Sequence, residues 1–245
     1  MADVFRVSTY QRPVAFLRQR ATWYFLTKRL VDFTLALILL VGFAPILAVV
    51  AILIKLDSRG PVFFRQKRVG AQRVFGDGAW QWQPADFFCI KFRTMVHNAD
   101  PALHQAYVTA LIHNDAQKMD QIQNGCQPLR KLVHDPRITR LGRYLRKYSL
   151  DELPQFVNVL RGEMSLVGPR PAIGYEVEQY TAWHRGRLKA QPGITGWQQV
   201  KARCTAEFDD QVKYDLEYIA NQSLWLDLKI LLLTPLEVLR HRGAV

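Results

Sequence analysis

The chain has 245 residues, enough for one sizeable core with an appended segment. Its net charge of +12 points to anionic partners: nucleic acid, anionic lipid or phosphorylated small molecules. Cys89, Cys126 and Cys204 stand far apart with no C-x-x-C, and the six histidines lack an H-x-x-x-H spacing. Neither a disulfide framework nor a zinc site is therefore expected, and a reducing, cytoplasmic setting is the simplest fit.

The first element, VFRVSTYQRPVAFLRQRATWYFLTKR, mixes Arg and Lys with Phe, Trp and Tyr. It suits a segment lying at a lipid headgroup layer, or a surface helix after Pro13. Residues 30–54 follow as an apolar run, LVDFTLALILLVGFAPILAVVAILI. A straight helix of that length reaches about 37 Å, enough to cross a hydrocarbon core of about 30 Å. The run is too long and starts too late for a signal peptide. Pro45 removes a backbone hydrogen bond in its middle, and Gly42 loosens the same turn. Lys28 and Arg29 precede the run, and Lys55, Arg59, Arg65, Lys67, Arg68 and Arg73 follow it. Positive charge on both flanks favours two cytoplasmic ends. A helix that enters, bends at Pro45 and returns supplies them, with Asp32 near the interface. On these residues alone, re-entrant and kinked spanning helices both stand.

Two short strands are predicted next, VFFRQKRVG and FFCIKFRTM, around an insertion-like stretch, AQRVFGDGAWQWQPAD. Two-residue spacing would put Lys91 and Arg93 on one strand face, where they could hold a diphosphate. A solvated edge strand carrying charge against aggregation has the same pattern. Residues 103–134 read as a polar helix and loop punctuated by Gly125 and Pro128. In HDPRITRLGRYLRKYS, Arg140, Arg143 and Lys147 share one helical face and Leu141 and Leu145 another.

The segment YSLDELPQFVNVLRGEMSLVGPRP carries adjacent acids, Asp151 and Glu152. Ser149-x-x-Glu152 matches a capping box, with both acids in a first helical turn. Pro154 disturbs that register, so a helix starting near Leu153 is the alternative, leaving the acids beside its positive end. Pro169 and Pro171 restrict Arg170, which favours a pre-aimed guanidinium and an oxyanion partner. Near the C-terminus, SLWLDLKILLLTPLEVL suits a core or interfacial helix interrupted by Asp227 and Lys229 and ended by Pro235.

Several blocks occur in a fixed order: K-R-x-x-D at Lys28–Asp32 before the proline-broken run, GPVFFRQKRVG, KFRTM, DPRITRLGRYLRKYSLDELPQFVNVLRGEMSLVGPRP, PGITGW and YDLEYI…SLWLDLKIL. Over roughly residues 28 to 234 the chain resembles the bacterial sugar transferase family, the monotopic polyprenyl-phosphate phosphoglycosyl transferases. The resemblance implies a mixed α/β, mainly helical fold. It implies a re-entrant membrane helix broken at Pro45 over 28–58 and a cytoplasmic, membrane-associated catalytic domain over 59–245, while residues 1–27 are read from their own composition as an N-terminal interfacial extension. It further implies a UDP-sugar donor, polyprenyl (undecaprenyl) phosphate as acceptor, Mg2+ as cofactor, and the cytoplasmic face of the bacterial inner membrane as location. A homodimer is possible. The products would be polyprenyl-diphospho-sugar and UMP, in the first membrane step of a glycan assembly.

By the same resemblance Asp151 is the nucleophile that takes the phosphosugar, and Glu152 holds metal with it or manages a proton. Lys91 and Arg170 bear on phosphates, Arg146 stands where the family often has a basic residue, and Glu163 is a weaker candidate for the polar network; Arg93 joins the phosphate-binding candidates by its strand spacing from Lys91. The chain departs from the family in Ala44-Pro45 where Ser-Pro is frequent, in the longer stretch from Ala71 to Asp86, and in Gln198-Gln199-Val200-Lys201-Ala202-Arg203 after GITGW. It is a short form, expected without the four additional membrane helices of large members. Two other classes are a glycosyl transferase that releases UDP and a non-enzymatic, basic membrane-surface protein. Nucleic acid binding has no P-loop, G-x-G-x-x-G or zinc-finger spacing to support it.

Overall fold

The computed structural model describes residues 22–123, 135–202 and 206–239. The interfacial stretch before residue 22, Gly125, Pro128, Cys126, Arg203 and Cys204 lie outside them. The apolar run folds as helix α1 (Thr22–Gly42) and helix α2 (Ala44–Asp57), bent by 60° across Phe43. Pro45 sits in the first turn of α2, where a missing N–H costs least. The Phe43 amide still bonds the Leu39 carbonyl at 2.8 Å, and the Leu47 amide bonds the Phe43 carbonyl at 2.9 Å. The chain therefore turns without losing helical bonding on either side. Among the described residues no single helix is long and apolar enough to cross a membrane, whereas the bent pair meets that test together.

The K-R-x-x-D residues dock α1 onto the rest of the protein. Lys28 Nζ lies 3.0 Å from Asp227 Oδ2 and 3.8 Å from Asp32. Tyr24 and Tyr218 hydroxyls bond the same Asp227 carboxylate at 3.0 and 2.7 Å. Arg29 donates to the Val159 and Leu160 carbonyls. Asp32 is buried within the protein, unlike the interfacial placement expected for it. It accepts from Ser165 Oγ at 2.7 Å and from the Leu166 amide at 3.1 Å. The opposite side of α1 leaves Trp23, Leu26, Leu30, Leu37 and Val41 exposed.

Strands β1 (Phe63–Gly76) and β2 (Ala79–Phe92) form one antiparallel ribbon, in register from Phe63 opposite Phe92 to Gly76 opposite Ala79. The presumed insertion is thus the distal half of a single hairpin. Asp77 and Gly78 both take positive φ, 52° and 75°, as a two-residue primed turn requires. The distal half folds back onto α1: Arg73 lies 3.9 Å from the Phe25 ring centroid, and Phe25 meets Trp82 edge to face. The expected polar helix and loop over 103–134 opens as helix α3 (Ala102–Ile112), which buries Tyr107, Val108, Ala110 and Ile112, and helix α4 (Ala116–Gln123). Helix α5 (Arg140–Lys147) starts at Thr139, whose hydroxyl accepts from the Gly142 amide at 3.0 Å.

Helix α6 (Phe156–Arg161) leads into strand β3 (Ser165–Val167), which pairs in parallel with strand β4 (Gly193–Thr195). Helices α7 (Gly174–Glu178), α8 (Trp197–Lys201), α9 (Phe208–Asn221) and α10 (Leu224–Leu239) complete the chain, with α1, α6 and α10 packed against that pair and α7 against α3 and β1. Val159, Met164, Val167, Trp197, Tyr218 and Ile230 form the centre of the core. Helix α10 does not stop at Pro235 as its sequence suggests; it runs on to Leu239. Its outer side exposes Trp225, Leu228, Leu232, Leu236 and Leu239, an apolar stripe at helical spacing.

Replacing Lys28 by Met leaves the Asp227 and Asp32 carboxylates buried without their cation. The expected loss is about 3–5 kcal/mol of stability. Lys67→Met, which breaks the exposed Lys67–Asp86 pair, should cost less than about 1 kcal/mol. Thermal unfolding of the two variants in the same detergent checks the difference.

Candidate active site

The two acids sit on a 3-10 turn, Leu150–Gln155, which runs directly into α6. Neither helix register expected from the sequence is adopted. Ser149 does not cap: it lies in the left-handed region at φ 56°, with no side-chain cap bond. A non-glycine residue held there stores backbone strain next to the acids, a feature that concentrates at functional sites. The Glu152 amide reaches the Ser149 carbonyl at 3.2 Å, the short-range bonding that a 3-10 turn uses and that tolerates Pro154.

The turn faces β2. Lys91 Nζ lies 2.7 Å from Glu152 Oε1, in a partly buried pair. Asn158, fully buried on α6, fixes this approach. Its Oδ1 accepts from the Ile90 amide at 3.0 Å, and its Nδ2 donates to the Phe88 carbonyl at 2.8 Å and to Glu163 Oε2 at 2.6 Å. Glu163 thus enters the polar network as expected, through Asn158.

The K-F-R-T stretch serves a different neighbour with each residue. Lys91 holds Glu152. Phe92 fills a core cluster with Val50, Ile54 and Leu145. Arg93 was expected on the Lys91 face, but β2 ends at Phe92 and alternation stops there. Its buried guanidinium donates to the Ser58 carbonyl at 2.7 Å and the Arg59 carbonyl at 3.0 Å, closing the C-terminal end of α2. Arg93 therefore leaves the phosphate-binding set. Thr94 Oγ1 accepts from Arg146 Nε at 2.9 Å. Burial lowers the Arg146 guanidinium pKa, and the negative charge of Asp151 works against that shift. Arg146 and Asp151 thus belong to one electrostatic site. Gly142 lets α5 come this close, because a Cβ there would overlap the Thr94 carbonyl oxygen.

Arg170 is exposed between buried prolines. Its segment is braced by β4: the Gly168 amide bonds the Thr195 carbonyl at 2.9 Å, and the Gly193 amide bonds the Pro169 carbonyl at 2.8 Å. The charges of Lys91, Arg68, Glu152 and Arg170 all act on Cys89, whose thiol burial pushes up. Lys91 thus meets Glu152, the charge of Asp151 acts on Arg146, and Arg170 stands near Arg68 and Cys89. Arg68 appeared in the sequence as a flanking surface charge, yet it is buried against Pro171. Asn158, Thr94 and Arg68 carried no local signal. Their roles come from contacts 52 to 103 residues away in the chain, about which spacing says nothing.

A family model described as bacterial sugar transferase matches residues 23–241. The chain belongs to the bacterial sugar transferase family. It is 38% identical over 254 residues to the undecaprenyl-phosphate glucose phosphotransferase of Komagataeibacter xylinus, covering 98% of this chain and 41% of that protein. It is 35% identical to the exopolysaccharide production protein ExoY of Sinorhizobium fredii, covering 89% of this chain and 88% of ExoY. It is 38% identical to the UDP-glucose:undecaprenyl-phosphate glucose-1-phosphate transferase of Escherichia coli K12, covering 89% of this chain and 41% of that protein. The chain thus spans about two fifths of the length of the first and third of these relatives. Lys91→Met, which removes the 2.7 Å contact with Glu152, should lower turnover about 100-fold. The change should appear in kcat more than in KM for the donor, as steady-state kinetics will show.

Proposed function

We propose that the protein transfers a sugar-1-phosphate from a UDP-sugar to polyprenyl phosphate at a membrane surface, giving polyprenyl-diphospho-sugar and UMP. The observation that carries this is the Lys91–Glu152 pair, which holds one of two adjacent carboxylates against a cation on the strand. The names of the relatives, which specify undecaprenyl phosphate with glucose, support the same substrates and favour UDP-glucose as the first donor to test.

The Asp151 carboxylate attacks the β-phosphorus of the donor. An oxygen–phosphorus bond forms, the bond to the α-phosphate oxygen breaks, and UMP leaves with the electron pair. In the second half, a phosphate oxygen of the acceptor attacks the same phosphorus and the Asp151 carboxylate departs. One small site then serves a water-soluble and a lipid-soluble substrate in turn. Lys91, Arg146 and Arg170 offset the charge brought in by the phosphates. Glu152, held by Lys91, takes the proton of an acceptor that arrives protonated in this reading.

Magnesium suits the donor set, since it takes one or two carboxylates and completes its shell with phosphate oxygens and water. Among the described residues no three His, Cys, Asp or Glu side chains gather into a cage. Asp151 and Glu152 would hold the ion together with the substrate, and it would supply neutralisation of charge on the leaving phosphate.

The exposed apolar sides of α1, α2 and α10 support placement in lipid. The 60° bend and the basic residues at both ends support a re-entrant pair with both ends on the cytoplasmic face of the bacterial inner membrane. Nucleotide release tests the reaction. Wild-type protein with magnesium, undecaprenyl phosphate and a panel of UDP-sugars should yield UMP from one donor, and Asp151→Asn should yield none. Release of UDP instead would overturn the proposal in favour of plain glycosyl transfer.

A further inference from the structure

Arg68 is 6% exposed and has no anion in hydrogen-bond contact. Its Nη atoms donate to the Pro171 carbonyl at 2.9 Å and to Gln66 Oε1 at 2.6 Å, both uncharged, and its buried Nε has no hydrogen-bond partner. The two other buried arginines with an unpartnered Nε are otherwise provided for. Arg187 meets the Asp215 carboxylate, and Arg93 closes the end of α2. Glu176 acts on Arg68 from a distance, but its Oε2 accepts from the Ile173 amide at 3.1 Å. Arg170 adds a second positive charge nearby. Burial and that charge both lower the Arg68 pKa. A buried cation left this way is costly, and a bound anion removes the cost.

The ribbon register shows where that anion would lie. Lys91 is opposite Phe64, Cys89 opposite Gln66, and Phe87 opposite Arg68. Cross-strand partners share a face, and so do residues two apart. Lys91, Cys89, Gln66 and Arg68 therefore line one face, with the acids at the Lys91 end. Beyond Arg68 the chain returns through a bridge between Val69 and Ala172 into α7. There the Tyr175 hydroxyl lies 2.6 Å from His104 Nδ1 on α3. Burial pushes the His104 imidazole down to about 4, with Arg170 adding to the shift, so it is uncharged at neutral pH. Burial also pushes the Tyr175 phenol up to about 12, so it keeps its proton. The face thus carries Lys91 and Arg68, with Glu152 at the Lys91 end, and the Arg170 and Arg68 charges both act on the neutral His104–Tyr175 pair. Helix α5 exposes Arg140, Arg143, Tyr144 and Lys147, and Tyr148 follows it exposed, a basic and aromatic surface suited to a lipid-borne substrate.

We propose that Arg68, Arg170, Tyr175 and His104 form the site of the donor's nucleoside monophosphate end, with Arg68 as counter-ion to its phosphate and the His104–Tyr175 pair bonding the uncharged nucleoside. This rests on the phosphoglycosyl reaction above and assigns the path of its leaving group.

Calorimetric titration of the full chain in nanodiscs with UMP, and separately with inorganic phosphate, tests it. Wild-type protein should bind UMP, and Arg68→Gln should weaken it at least tenfold. The thermal midpoint of Arg68→Gln without nucleotide should match or exceed wild type, since a costly buried cation is gone. His104→Ala and Tyr175→Phe should weaken UMP severalfold and leave phosphate affinity unchanged. Equal UMP affinity in Arg68→Gln overturns the site, as does a lowered ligand-free midpoint, which would make Arg68 a structural cation. Should Arg68→Gln fail to fold, that too marks a structural cation and overturns the phosphate role, and unchanged UMP affinity in Tyr175→Phe overturns the nucleoside role. UMP release by wild type in the same preparation separates the two levels. Turnover with an unaffected Arg68→Gln affinity sinks only this site, whereas no UMP release sinks the reaction on which it rests.

Discussion

One amide side chain, that of Asn158, decides where the acids stand. The outer edge of β2 has no third strand, so the Ile90 N–H and the Phe88 carbonyl would be buried without partners. Asn158 meets both, at 3.0 and 2.8 Å, as a neighbouring strand would. Only a side chain with donor and acceptor on one carbon can do this; Asp lacks the donor and Leu lacks both. Because α6 continues the 3-10 turn that carries the acids, docking Asn158 on Ile90 brings Glu152 level with the next residue, Lys91. The acids, the strained Ser149 and the lysine are then placed by one buried contact rather than by loop conformation.

The same economy attaches the apolar helix pair. Lys28, Arg29 and Asp32 reach three separate elements: α10 through Asp227, the end of α6 through its carbonyls, and β3 through its backbone. Arg29 therefore grips the helix that Asn158 docks, and Asp32 grips the strand that leads to Gly168-Pro169-Arg170-Pro171. The polar side of α1 is spent inside the protein, and its apolar side is left free. The helix pair and the elements that carry the site are therefore joined by direct contacts.

Much of this was legible along the chain. Apolar patterning, Pro45 and the charge on both flanks pointed to a bent helix pair, and the chain does bend 60° there. Asp151, Glu152, Lys91 and Arg170 stood out by type and setting. What failed depended on where elements stop. Arg93 looked like a partner of Lys91 only while the strand was taken to continue, and Ser149 looked like a cap only while an α-helix was taken to start there. Pro235 looked like an end, but packing of α10 against the core carries the helix through it. Arg68 was indistinguishable from its charged neighbours, because its burial comes from Pro171, which is 103 residues away. Local spacing reports faces and turns; it does not report which distant backbone will cover a side chain.

The central claim is that Asp151 carries the phosphosugar between two substrates that never meet. Intact-mass measurement tests it most directly: the protein is mixed with magnesium and its UDP-sugar, without lipid acceptor. The account predicts an adduct of one sugar phosphate on wild-type protein, mapped to Asp151, cleared by undecaprenyl phosphate and absent from Asp151→Asn. Turnover by a wild-type protein that never shows the adduct, or an adduct that survives in Asp151→Asn, would contradict it.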